Sequence, residues 1–191
     1  AGVAVGPDVG VIRNTLTPPP AGGADPLSFA FNFADSIVGY EATGDGTGAS
    51  WTAGDAAMPA AAANPLITAA LDDSDIVIVV APRGPGVGVA GVLGPAIIPI
   101  DPGSDIAAGD VVLLTDCSRG AIMEVTAVGG GGVSLGHGVG PGTPGNYTVE
   151  IGAGAFGVGA EVFPIERAAY YVANSPVTGR RALFRNNQEI A

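Results

Sequence analysis

Glycine and proline punctuate this chain so often that a long regular helix has nowhere to form. There are 32 glycines and 16 prolines, about a quarter of all residues, a level at which a chain without a fixed period borders on low complexity. Leu, Ile, Val and Phe make up about another quarter, above the roughly one-fifth below which chains stay disordered. The 191 residues therefore bury a core of ordinary domain size. That core is assembled from short extended segments between turns.

The order of segments follows from the same punctuation. Residues 1–35 read as largely irregular, with Thr17-Pro18-Pro19-Pro20-Ala21-Gly22-Gly23 unsuited to a helix interior or a central strand. Phe29, Phe31 and Phe33 alternate as a short strand or aromatic anchor, Ile37 to Tyr40 reads as a strand, and Gly44 to Gly48 as a loop. Residues 53–71 are the one helical candidate, rich in alanine but cut by Pro59 and Pro65. From residue 74 onward the pattern is β. Asp75 to Val80 is a continuous β-branched run, fit for a strand buried on both faces. Val87 to Leu93 and Ala96 to Ile100 are weaker strands, and Val111 to Thr115 a strong one. Ala121 to Val128 is a strand with Glu124 and Thr126 on one face and Met123, Val125 and Ala127 on the other. Gly129 to Gly132 is a flexible loop and Asn146 to Ile151 a strand. Gly159 to Ala173 is a long strand with a bulge or break at Pro164. It is joined through the turn Ser175 to Gly179 to the return strand Arg181 to Arg185. No fixed-period repeat appears. The expected fold is a single, mainly antiparallel β domain over residues 1–191 with long Gly/Pro-rich loops and at most short helices.

Charge narrows the function. All seven basic residues are Arg, at 13, 83, 119, 167, 180, 181 and 185, against 18 acids, for a net charge of −11. Such a chain is repelled by phosphate backbones and anionic membrane surfaces. Without Lys there is neither a Schiff base nor a Walker-type phosphate loop. One His and one Cys leave most hydrolase triads and zinc sites incomplete. The expectation is a protein that is not an enzyme, with no cofactor. The longest apolar stretch, Val87 to Ile100, is broken by three glycines and two prolines, too short to span a bilayer. The start lacks the features of a signal peptide, and the chain reads as a trimmed or processed piece of something longer.

Each candidate for chemistry has a plain alternative. Gly84 to Gly91 follows a strand like a nucleotide-binding loop, but no helix follows to hold phosphate, so it reads as a turn or irregular strand. Asp72-Asp73-Ser74-Asp75 is a carboxylate cluster, and Asp45 lies in a Gly/Thr loop. Asp73 and Asp75 are the metal candidates, yet neither segment has EF-hand spacing, and a solvated turn is the plain reading. His137, in Leu-Gly-His-Gly-Val, caps a turn or packs on the surface, with no orienting partner beside it for base catalysis. Tyr170 and Tyr171 point to opposite faces, one to the core and one outward. Arg180, Arg181 and Arg185 either pair with acids or guard an edge strand. Cys117, in a turn between two strands, is a small buried hydrophobe or one half of a bridge to a residue outside this chain.

Three segments together resemble one family. They are Ser74 to Val80; the strand–turn–strand Gly109-Asp110-Val111-Val112-Leu113-Leu114-Thr115-Asp116-Cys117-Ser118-Arg119-Gly120-Ala121-Ile122-Met123-Glu124-Val125-Thr126; and Tyr170-Tyr171-Val172 followed by Gly179 to Arg185. Their order and spacing are similar to those of the PilW-type minor pilins of type IV pilus systems, over roughly residues 36–191. The resemblance implies a pilin-like β-rich head, made as a prepilin whose apolar N-terminal helix, absent from this chain, anchors it in the membrane. It implies passage through the inner membrane and periplasm of a Gram-negative bacterium to an extracellular pilus. It implies other pilins, minor pilins and an adhesin-like partner at the tip, a role in priming assembly, and no catalytic site. A separate chain supplying the helix is also compatible with it. It further implies that Cys117 bridges to a residue upstream of Ala1. The rival readings are a type II secretion pseudopilin head and a secreted carbohydrate-binding or adhesin-like β domain, the latter needing exposed aromatics around Trp51.

Overall fold

The computed structural model describes residues 12–16, 33, 36–43, 51–53, 56–57, 66–140, 142, 144–151 and 156–190. Those residues are mainly β and contain no helix, so none is long and apolar enough to cross a membrane. They divide between two compact units, one formed by Ala1–Pro18 with Pro82–Ile165, the other by Pro19–Ala81 with Glu166–Ala191.

The first unit opens with β1 (Ile12–Asn14). In the second unit lie β2 (Ile37–Ala42), β3 (Trp51–Ala53), β4 (Ala56–Ala57) and all but the last residue of β5 (Ile76–Pro82). The first unit continues with β6 (Val87–Gly88), β7 (Ile97–Pro99), β8 (Val111–Thr115), β9 (Gly120–Glu124), β10 (Ala127–Gly129) and β11 (Ser134–Gly136). β12 (Glu161–Asn174) begins in the first unit and continues into the second, which ends with β13 (Arg181–Arg185) and β14 (Gln188–Glu189).

In the first unit the β8–β9 hairpin is the centre. β9 pairs in parallel with β1 on one side, and β8 pairs antiparallel with β12 on the other. A second sheet has the order β10-β11-β7. Ile98, Val112, Leu114, Met123, Leu135 and Val162 close the core. In the second unit the order is β4-β3-β2-β5-β12, with β13 on β12 and β14 on β13. Its core gathers Tyr40, Trp51, Ile67, Ile76, Ile78 and Tyr171.

Several expectations need correction. The run at 75–80 is buried on one face only: Ile76 and Ile78 are core, but Val77 is exposed. β-Branched content marks a strand without saying how many faces are covered. The strand expected over 121–128 breaks at Val125–Thr126, and every residue of β9 is buried, Glu124 included. Residues 146–151 make only isolated bridges at Asn146, with no strand. The helical candidate at 53–71 is replaced where described: Ala56–Ala57 is β4, and Leu66 to Ala70 is turn and bridge. Its middle, like Phe29, Phe31, Asp45 and the Gly44–Gly48 loop, lies outside the described residues. Pro164 does not break β12. Its carbonyl accepts the Arg83 N–H at 2.8 Å. In an antiparallel strand a residue's N–H and C=O point to the same side, so the missing donor falls on the Arg83 side and the β8 ladder is intact.

The 129–132 loop is a tight turn. Gly130, Gly131 and Gly132 have φ of 61°, 73° and 95°, a left-handed run that other residues adopt at a cost, and Gly132 and Val133 both donate to the Gly129 carbonyl.

Candidate interaction surface

The 170–185 hairpin is built by its turn. The Ser175 hydroxyl accepts the N–H groups of Val177 and Thr178, the Ser175 N–H donates to Arg180 O at 2.8 Å, and Gly179 adopts φ 68°. The resulting register pairs Tyr170 with Arg185 and Val172 with Leu183. Side chains alternate across a sheet, which sends Ala169, Tyr171, Ala173, Ala182 and Phe184 into the core. Tyr171 stacks on Phe184 with ring centroids 5.7 Å apart, and its hydroxyl donates to Asn187 Oδ1 at 2.7 Å. Burial pushes that phenol's pKa above its ordinary value. Tyr170 is half-buried on the other face, so the two tyrosines divide as expected.

The same alternation leaves an apolar outer face on the second unit. Ile37, 67 % exposed, pairs with Val79, and Val77, 39 % exposed, pairs with Gly39. Leu183, also 39 % exposed, stands on β13 beside half-buried Val172. Ion pairs lie along β13. Arg181 Nη2 donates to Asp73 Oδ2 at 2.6 Å, and Arg185 Nη2 to Glu166 Oε1. β14 pairs with β13 at Phe184 and Arg185, and Arg181 and Arg185 both pair with acids.

Asp73 is held by Arg181, and the Asp75 carboxylate accepts the Ala42 N–H at 3.0 Å. Among the described residues no three of His, Cys, Asp and Glu come together to hold a metal ion. Gly86 and Gly88 are small because their surroundings are close: a Cβ on Gly86 would lie 2.5 Å from Phe163 Cε1, and one on Gly88 would meet the Asp101 carboxylate. Trp51 is only 2 % exposed, with its indole N–H donating to Ser74 O at 2.9 Å. That takes away the aromatic on which a sugar platform would rest.

Cys117 sits exposed at the tip of the β8–β9 hairpin at φ 66°, not buried. The Asp116 carboxylate organises the tip, accepting the Ser118 hydroxyl at 2.6 Å and the N–H groups of Ser118 and Arg119 at 3.0 Å. Those bonds, the Ser118 hydroxyl foremost, lower its pKa to about 2. His137 overturns its surface reading: it is 1 % exposed, and neither ring nitrogen has a hydrogen-bond partner. Burial holds its imidazole below the ordinary histidine range. A buried polar knot about Glu124 and Asn146 is also unforeseen. The Asn146 amide accepts the Glu124 N–H and donates to the Glu124 carbonyl, both at 2.8 Å, and Gly145 N–H donates to Glu124 Oε2 at 2.7 Å. Its only sequence signal is a lone Asn after a glycine-rich stretch.

Comparisons with protein-family models, with curated proteins and with solved structures return no match.

Proposed function

We infer that this chain is the β-rich head of a minor pilin of a type IV pilus system, a structural subunit that works by packing on neighbouring subunits and without catalysis. The observation that carries the reading is the apolar outer face of the second unit, where Ile37, Val77 and Leu183 lie open to contact. Fully burying such a side chain from water contributes roughly 1.5–3 kcal/mol, and Ile37, with the most exposed area of the three, has the largest share of that left to gain in a subunit contact. The three segments that resemble the PilW-type proteins supply β5, the β8–β9 hairpin and the β12–β13 hairpin, and two of these three present that face. On this reading the partners are other pilins and a tip adhesin, the site of action is the cell surface, and the membrane anchor is an apolar helix outside this chain. The exposure of Cys117 on its turn supports the further reading that it bridges to a cysteine outside this chain. Mass spectrometry of the non-reduced full-length protein should find it bonded, and a free thiol defeats that part.

The test is genetic and biochemical together. Deleting the gene should reduce surface pili, the wild-type gene should restore them, and Leu183→Asp should not. Unimpaired piliation in the deletion strain, with no minor pilin recovered by pull-down, would overturn the reading.

A further inference from the structure

Arg180, Arg181 and Arg185 follow the turn between β12 and β13, and the structure sorts them. Arg181 Nη2 lies 2.6 Å from Asp73 Oδ2, and Arg185 is paired with Glu166. Arg13, Arg83 and Arg119 are paired in the same way with Glu150, Asp110 and Asp116. Arg167 is buried and has contacts of its own. Arg180 is exposed, and among the described residues no acid lies within ion-pair distance of it. In a chain with 18 acids and seven arginines, cations are scarce and internal partners plentiful. A cation left open in such a chain is free to meet an acid from outside it.

The turn that carries Arg180 is fixed from within. Ser175 anchors it and is only 2 % exposed. Its hydroxyl accepts the N–H groups of Val177 and Thr178 at 3.2 and 3.1 Å, its N–H donates to Arg180 O, and its carbonyl accepts the Gly179 N–H at 2.9 Å. The Arg180 N–H donates to Thr178 Oγ1 at 3.3 Å. With the backbone already ordered, a contact at Arg180 costs the ordering of its side chain and little more. The same turn holds Val177 in solvent, 87 % exposed. Arginine is enriched among the residues that dominate interfaces, and the groups around it act by excluding water. Its planar fork matches a carboxylate with two parallel N–H donors. The net charge of −11 opposes a partner surface rich in acids. A single carboxylate among apolar groups keeps the attraction to Arg180 and avoids most of that repulsion.

We propose that the β12–β13 turn is a docking element: Arg180 receives one side-chain carboxylate, set in apolar surroundings, on a neighbouring pilus subunit, and Val177 helps to keep water from the contact. The proposal rests on the reading of the chain as a pilin head and names the chemistry that its partner presents.

The full-length protein in its own cells tests this. Variants are returned to a deletion strain and surface pili are counted. Arg180→Glu sets like charges against each other and should restore at least about tenfold fewer pili than the wild-type gene. Arg180→Gln, polar but uncharged, should also fall short, and Arg180→Lys, which keeps the charge, should restore more than Arg180→Gln. If Arg180→Glu does not fold, the comparison of Arg180→Gln with Arg180→Lys decides alone. Wild-type numbers of pili from Arg180→Glu or Arg180→Gln, or equal restoration by Arg180→Gln and Arg180→Lys, in a strain whose deletion lowers piliation, overturn the docking proposal and leave the pilin reading standing. Unimpaired piliation in the deletion strain, with no minor pilin recovered by pull-down, overturns both.

Discussion

Asn146 shows how much one side chain holds in a structure with so few large polar groups inside. Its amide satisfies both backbone groups of Glu124 and the carbonyl of Gly138. Asn146→Ala leaves buried donors and acceptors without partners, each costing roughly 1–3 kcal/mol, so urea unfolding should show a loss of at least about 2 kcal/mol. Cys117 is the opposite case. A non-glycine residue at φ 66° carries strain of about 1–2 kcal/mol, partly offset in a glycine variant by greater unfolded-chain freedom of about 0.4–1 kcal/mol. Cys117→Gly should therefore raise stability by roughly 0.5–1 kcal/mol in the same assay. At the hairpin tip, Asp116 should titrate by NMR with a midpoint of about 2. Because its folded pKa is depressed, its stabilising effect is present above about 3.9 and is lost as pH falls toward 2. The turn at 116–119 was legible from its residues, since Asp and Ser bond to the backbone a few residues on. The enclosure of His137 was not, because flanking glycines say nothing about what packs over an imidazole from segments distant in sequence.

For strands, periodicity was informative about existence and poor about faces. The β8–β9 and β12–β13 hairpins stand where the apolar runs and turn residues place them. The faces of β5 depended on what lies across from it: one side meets the Trp51 and Tyr171 cluster, the other meets little. This difference is measurable. Ile78→Ala should cost roughly 2–5 kcal/mol, as for other buried Ile truncations, whereas Val77→Ala, one residue away, should change stability by less than about 1 kcal/mol. Equal losses at the two positions would mean that the outer face is covered in solution. The strand expected at 146–151 failed for a related reason. Its backbone is taken by Thr15 O and by local bonds such as Ile151 N–H to Val149 O, and residue preference alone does not supply a neighbouring strand.

For the whole molecule, charge and apolar surface act against each other. A net charge of −11 opposes association of like copies, while the face bearing Ile37, Val77 and Leu183 favours contact. Repulsion between copies is screened beyond about 8 Å at physiological ionic strength. Sedimentation of the isolated chain should therefore show monomers at low salt and increasing association at high salt, and Leu183→Asp should abolish the increase without altering the unfolding free energy by more than about 1 kcal/mol. Among the described residues, ion pairs such as Arg181–Asp73 and Arg13–Glu150 have at least one exposed partner, and such pairs contribute roughly 0–1 kcal/mol each, so salt should act on association far more than on folding. What composition and order determined by themselves was the β class, the turn positions and the acidic surface, because these depend on local backbone preference and on counting charges. Which face of β5 is open, why β12 runs through Pro164, and the enclosure of His137 and Glu124 were decided only by tertiary structure. Each depends on a partner distant in sequence, and residue type alone does not choose that partner.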